Sequence, residues 1–125
     1  EYQCAKTGAL FAAATAAGAL AAGADYERWR LLGERLGEAY QVADDVQDAA
    51  GDPALLGKPT GIDQSLGRPS SARELGLRGA LDRFEHLVEA AIAAIPDCPG
   101  KSPLTDMIRA EARRLIPEHV QARAA

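Results

Sequence analysis

The segment Tyr40-Gln41-Val42-Ala43-Asp44-Asp45-Val46-Gln47-Asp48 sets three carboxylates within five residues, and a loop carrying Gly57, Lys58, Gly61 and Asp63 follows it. On a helix, like charges at i,i+4 such as Asp44 and Asp48 cost roughly a few tenths of a kcal/mol. Asp is also a poor interior helix former, because its short side chain competes for backbone hydrogen bonds. Something positive beside the three acids would offset that cost. Hard carboxylate oxygens on one helical turn suit Mg²⁺ held jointly with a substrate phosphate. The alternative is that the acids decorate a solvated face shared with Arg30 and Glu34, as runs of charge often do.

The elements that must position these groups can be read from periodicity and punctuation. Residues 1–22 form a helix that is apolar all round after Lys6-Thr7, with Leu10, Phe11 and Leu20 among alanines, and such a helix is expected to be buried. Lys6 then either emerges into a cavity at one end of a central element or snorkels to the surface. Gly23 stops this helix, and Asp25 is a plausible N-cap for a second that runs to about residue 50. Its apolar seam is Leu32, Leu36, Ala39, Ala43 and Val46. Gly37, Gln41, Asp44 and Asp48 project together on the side away from that seam. The acids therefore either line a polar cavity with Gly37 leaving room beside it, or face water.

Residues 51–71 are punctuated by Gly51, Pro53, Gly57, Pro59, Gly61, Gly67 and Pro69. Connections of this length without periodicity tend to be lids or binding loops. Folded back over the second helix, Lys58 and Arg68 would supply the cations the aspartates lack; otherwise this is an ordinary surface loop. Ser71-Ala72-Arg73-Glu74 fits a capping box and opens a third helix with the stripe Leu77, Leu81, Phe84, Leu87, Val88, Ile92 and Ile95. Gly76 and Gly79 loosen its start, Pro96 ends it, and His86 reads as structural or exposed. Ser102-Pro103 reads as N-cap and first residue of a last helix that turns Leu104, Met107, Ile108, Leu115 and Ile116 inward. Pro117 breaks it, and a frayed tail is expected beyond. No strand-like alternation occurs, so the fold class is all-α, a bundle of several packed helices.

Composition narrows the function further. The net charge is −4 and the basic residues are dispersed among acids, which argues against a nucleic-acid partner. Cys4 and Cys98 stand far apart in no metal or redox pattern, which suits a reducing, cytoplasmic setting. The apolar run 9–22 is shorter than the about 20 residues that cross a bilayer, so no integral membrane segment is expected. Nothing in the first five residues caps or opens a helix, so the chain reads as the C-terminal part of a longer protein with a thin core of its own.

With these residues in hand, the chain resembles the trans-prenyl diphosphate synthases. Their second aspartate-rich motif reads as a bulky aromatic, Gln, two residues, then DDxxD, as in Tyr40, Gln41, Asp44, Asp45 and Asp48. A Lys-Thr pair on the preceding helix matches Lys6 and Thr7. A GKxxGxD segment matches Gly57, Lys58, Gly61 and Asp63, and a basic residue five positions later matches Arg68. The remainder, with its Ser-Ala-Arg-Glu and Pro-Asp-Cys-Pro-Gly segments, looks like the short C-terminal region of geranylgeranyl diphosphate synthases from carotenoid or bacteriochlorophyll pathways. Two features depart from the pattern: the family's first aspartate-rich motif and its arginine are absent, and Leu66 stands where an acid is common.

The resemblance implies the C-terminal part of an isoprenoid-synthase-type fold, with a metal helix over about 25–50, a lid loop over about 51–71 and C-terminal helices over about 72–116. It implies Mg²⁺ on Asp44, Asp45 and Asp48, diphosphate binding by Lys6, Lys58 and Arg68, and catalytic parts for Lys6, Thr7, Gln41 and Lys58. The reaction implied is condensation of an allylic diphosphate with isopentenyl diphosphate by a homodimer, with the fragment alone inactive for want of the first acidic motif. The competing function is a non-catalytic helical subunit that regulates or binds a prenyl diphosphate synthase.

Overall fold

The computed structural model describes residues 2–51 and 71–124, and side chains within 5–51 and 76–122. Every regular element among them is a helix: α1 Tyr2–Ala21, α2 Tyr26–Gly51, α3 Ser71–Ala93, α4 Lys101–Leu115 and α5 Glu118–Ala124. The all-α class expected from the lack of alternation is what the chain adopts. None of these helices is long and apolar enough to cross a membrane.

The turn between α1 and α2 forms as its residues dictate. Gly23 takes φ 75°, a left-handed conformation that glycine reaches without a Cβ clash. Ala24 N–H then donates to Ala19 O at 2.9 Å and Gly23 N–H to Leu20 O at 3.1 Å, the paired bonds of a Schellman motif. Two residues on, the Asp25 carboxylate accepts from Glu27 N–H at 3.2 Å and caps α2. So short a connection makes α1 and α2 antiparallel neighbours.

Two sides of α2 are buried, and that makes it the central element. Leu32, Ala39, Val42, Ala43 and Val46 enter a core shared with Ala80, Leu81, Phe84, Leu87 and Val88 of α3. Gly33 and Gly37 are buried on another side, against α1. Val46 is 0% exposed. Truncation at that site removes transfer free energy and leaves a cavity. Val46→Ala is therefore expected to cost about 2–3 kcal/mol, read as a lower urea midpoint at unchanged slope.

Three expectations are corrected. First, α1 is not buried all round: Ala12, Ala16 and Ala19 are covered, whereas Leu10 and Leu20 are each 64% exposed. Among the described elements α2 alone packs extensively on it, so the apolar residues of its other sides meet water. Second, α4 begins at Lys101 with Gly100 in the cap position, not at Ser102. Pro103 fits at the third helical position because a first-turn N–H has no intrahelical partner to lose. Of the residues expected inward on α4, Ile108 is buried whereas Met107 is 62% exposed, so the covered face is narrower than the apolar stripe. Third, the tail beyond Pro117 is the helix α5, held by Val120, which is 4% exposed in the common core. The break at Pro117 reorients the chain without ending its packing.

The third helix follows the reading closely. Leu81, Phe84, Leu87, Val88 and Ile95 are buried, with Leu77 and Ile92 half-buried. Gly76 interrupts it at φ 73°, ψ 167°, the kink that two early glycines suggested. The side chains of the capping-box segment lie outside the described residues. His86 is exposed, as is the free thiol of Cys98.

Candidate active site

Gly33, Gly37, Gln41, Asp44 and Asp48 recur along α2 at steps of four, four, three and four, which places them on one face. The structure shows what that face meets. A methyl carbon placed on Gly33 would overlap Phe11 O and stand 2.5 Å from Thr15 Oγ1 and 2.6 Å from Ala12 Cα. One placed on Gly37 would stand 2.9 Å from Gly8 Cα. The glycines thus leave no room beside the acids; α1 fills it. Thr15 folds its hydroxyl back onto Ala12 O at 3.1 Å, keeping the contact free of an unpaired donor.

Beyond Gly37 the same face opens. Asp44 and Asp48 are exposed and Gln41 is half-buried. Because Gly8 lies opposite Gly37 and Ala12 opposite Gly33, moving back along α1 means moving forward along α2. Thr7 and Lys6, one and two residues before Gly8, therefore lie toward the end of the pair that carries Gln41 and Asp44, with Lys6 about 200° round α1 from Gly8 and so on a different side from the α2 contact. Lys6 is exposed and Thr7 half-buried, and Lys6 is in no ion pair with Asp44 or Asp48 among the described residues. Beside them Phe11 packs on Tyr40 with ring centroids 5.6 Å apart and planes at 39°, so an aromatic pair closes the seam just below the carboxylates.

The three aspartates do not behave alike. Asp44 and Asp48 share the open face, whereas Asp45, about 100° further round the helix, is half-buried. Among the described residues no three acidic, His or Cys side chains converge as a metal site. Neither Asp44 nor Asp48 is engaged in an ion pair among them. Two exposed carboxylates one turn apart fit a Mg²⁺ ion that keeps several waters and takes further oxygens from a substrate phosphate; they do not fit a closed all-protein cage. Lys58 and Arg68, and most of the 51–71 loop, lie outside the described residues.

The Polyprenyl synthetase family model matches residues 1–98. The chain belongs to that family. As a polyprenyl synthetase chain it is 51% identical over 122 residues to a geranylgeranyl diphosphate synthase of Cereibacter sphaeroides, a match covering 98% of this chain and 42% of that protein. It is 44% identical over 115 residues to a geranylgeranyl diphosphate synthase of Rhodobacter capsulatus, covering 92% and 40%. A farnesyl diphosphate synthase of Escherichia coli is 39% identical over 116 residues, covering 89% and 38%. The chain thus spans about two fifths of the length of these relatives. No solved structure matches it.

One feature of this polyprenyl synthetase segment was not legible beforehand. Between the acids, Gln47 Nε2 donates to the backbone carbonyl of Leu115 at the end of α4. Close by, Arg114 pairs with Glu111 and lies within electrostatic range of Tyr40. The end of α4 therefore docks against the stretch of α2 that bears the carboxylates. The sequence signal was there in Leu115-Ile116-Pro117, since a helix stopped by proline leaves carbonyls to be satisfied.

Proposed function

We propose that the complete protein carrying this chain is a prenyltransferase that joins an allylic diphosphate to isopentenyl diphosphate. The observation that carries this reading is the shared end of the α1–α2 pair. Gln41, Asp44 and Asp48 share one face of α2, and Lys6 and Thr7 lie on α1 toward the same end, in an order and spacing that resemble the diphosphate synthases. Asp44 and Asp48, supported by Asp45, would hold Mg²⁺, which when bound supplies Lewis-acid stabilisation to phosphate oxygens.

The rest of the chemistry belongs to the chain. Ionising an allylic C–O bond sends its electron pair onto a diphosphate already rich in negative charge. The Lys6 ammonium, with Lys58 and Arg68 from the loop, binds and orients that diphosphate through charge-assisted hydrogen bonds. Thr7 adds a hydroxyl donor beside Lys6, and Gln41 sets an amide dipole against the same group. Closure of the 51–71 loop excludes water, which would otherwise capture the cation as an alcohol. Isopentenyl diphosphate then attacks through its double bond, and the tertiary cation so formed loses a proton to the released diphosphate, giving the elongated allylic ester and inorganic diphosphate. The chain by itself is expected to be inactive, because the described residues offer one acidic pair and the chemistry must bind two diphosphates.

The test is turnover. The complete protein, given isopentenyl diphosphate, an allylic diphosphate and Mg²⁺, should yield inorganic diphosphate and a product longer by one five-carbon unit, seen by mass spectrometry. Absence of any elongated product, with restoration of activity to a separately purified prenyl synthase on mixing, would favour the regulatory subunit instead.

A further inference from the structure

Pro117 has no N–H and turns the chain, so the last carbonyls of α4 cannot be met by the next helical turn. Val120 N–H and Gln121 N–H both go to Pro117 O, at 2.9 and 3.3 Å. The two preceding carbonyls are taken by side-chain amides: Gln121 Nε2 donates to Ile116 O at 3.4 Å, and Gln47 Nε2 donates to Leu115 O. The first of these bonds is local to the turn. The second crosses from α2, where Gln47 stands between Asp45 and Asp48. Val46, Ile116 and Val120, exposed by 0%, 2% and 4%, bury the same junction from beneath.

We propose that Gln47 is a positioning residue for the acidic pair, an inference that rests on the prenyltransferase reading. Its amide, held on the Leu115 carbonyl, fixes the rotation of the α2 turn that presents Asp44 and Asp48, so the α4–α5 turn governs how well those carboxylates hold a divalent cation. The tie to α4 is a side chain within the acidic motif itself, on a turn whose other side Val46, Ala49 and Ala50 bury in the core. Outer partners that orient metal-holding groups typically change affinity by about 10–100-fold when lost.

Gln47→Met tests this in the complete synthase, since methionine keeps the length and helix propensity and removes the donor. Gln121→Met is the control, losing the neighbouring amide without touching α2. Two readouts are taken: hydrogen exchange of the backbone amides of 46–51 in metal-free protein, and the Mg²⁺ concentration giving half-maximal condensation. Gln47→Met is expected to speed exchange there about tenfold and raise the Mg²⁺ midpoint about tenfold, and Gln121→Met to do neither. Unchanged exchange in Gln47→Met overturns the proposal, as does an unshifted Mg²⁺ midpoint or an equal effect of Gln121→Met. A wild-type enzyme indifferent to Mg²⁺ would instead sink the underlying reading, before any variant is made.

Discussion

If the proposed prenyltransferase reading holds, Asp44→Ala in the complete protein is expected to lower kcat/KM for condensation by about 10²- to 10⁴-fold, the equivalent of several kcal/mol of lost charge stabilisation. The same change is expected to leave the fold intact or slightly firmer. Asp44 is exposed and outside any ion pair among the described residues, so its removal breaks no packing. Alanine is also the better helix former, and the repulsion from Asp48 disappears. Activity and stability should thus move in opposite directions, a combination that a structural role for Asp44 cannot produce. Circular dichroism with steady-state rates checks it; unchanged rates would remove Asp44 from the chemistry.

The second large effect lies in the seam that holds the site together. Gly33→Ala gains up to about 1 kcal/mol of helix propensity, yet its methyl would overlap backbone atoms Phe11 O and Ala12 Cα. Backbone cannot swing aside as a flexible side-chain end does, so α1 must move. The expected result is a net loss of about 1–2 kcal/mol for Gly33→Ala, and about 3 kcal/mol or more for Gly33→Leu. Gly18, in the same helix pair, has nothing within 4 Å of an added methyl, so Gly18→Ala should gain up to about 1 kcal/mol. On the proposed prenyltransferase reading, displacing α1 also shifts Lys6 and Thr7 relative to the carboxylates, and misplacement by about 1 Å can cost about 10²-fold in rate. Equal gains from Gly33→Ala and Gly18→Ala in urea unfolding would show that the helices do not meet there.

Much of this was legible in advance, for identifiable reasons. Gly23, Asp25, Pro96 and Pro117 act through local backbone chemistry, so the breaks they signal survive in the fold. The stripes of α2 and α3 are long enough for periodicity to fix their core-facing side. What periodicity cannot do is see a second buried face built from glycines. Gly33 and Gly37 count as neither apolar nor polar, and the backbone of α1 lying against them is what shows close packing. Alanine misled in the opposite sense: α1 looked buried on every side because small apolar residues carry no direction, whereas its burial is set by what packs on it. The start of α4 was misplaced because Ser102 and Pro103 carry the expected cap chemistry while Gly100 sits at the cap itself. Of the site, Lys6, Thr7, Gln41 and the aspartates stand on the motif order, and the register of α1 on α2 puts the first pair toward the same end of the helix pair as the rest. The parts assigned to Lys58 and Arg68 stand on sequence alone.

The central claim is that Asp44 and Asp48 hold a divalent ion which links the protein to a diphosphate. Calorimetric titration of a non-hydrolysable allylic diphosphate into the complete protein tests it directly, with Mg²⁺ present, with Mg²⁺ removed by chelator, and with Asp44→Ala. Binding at least about tenfold tighter with Mg²⁺, with that gain lost in Asp44→Ala, is the predicted result. Equal affinity in all three conditions would contradict it.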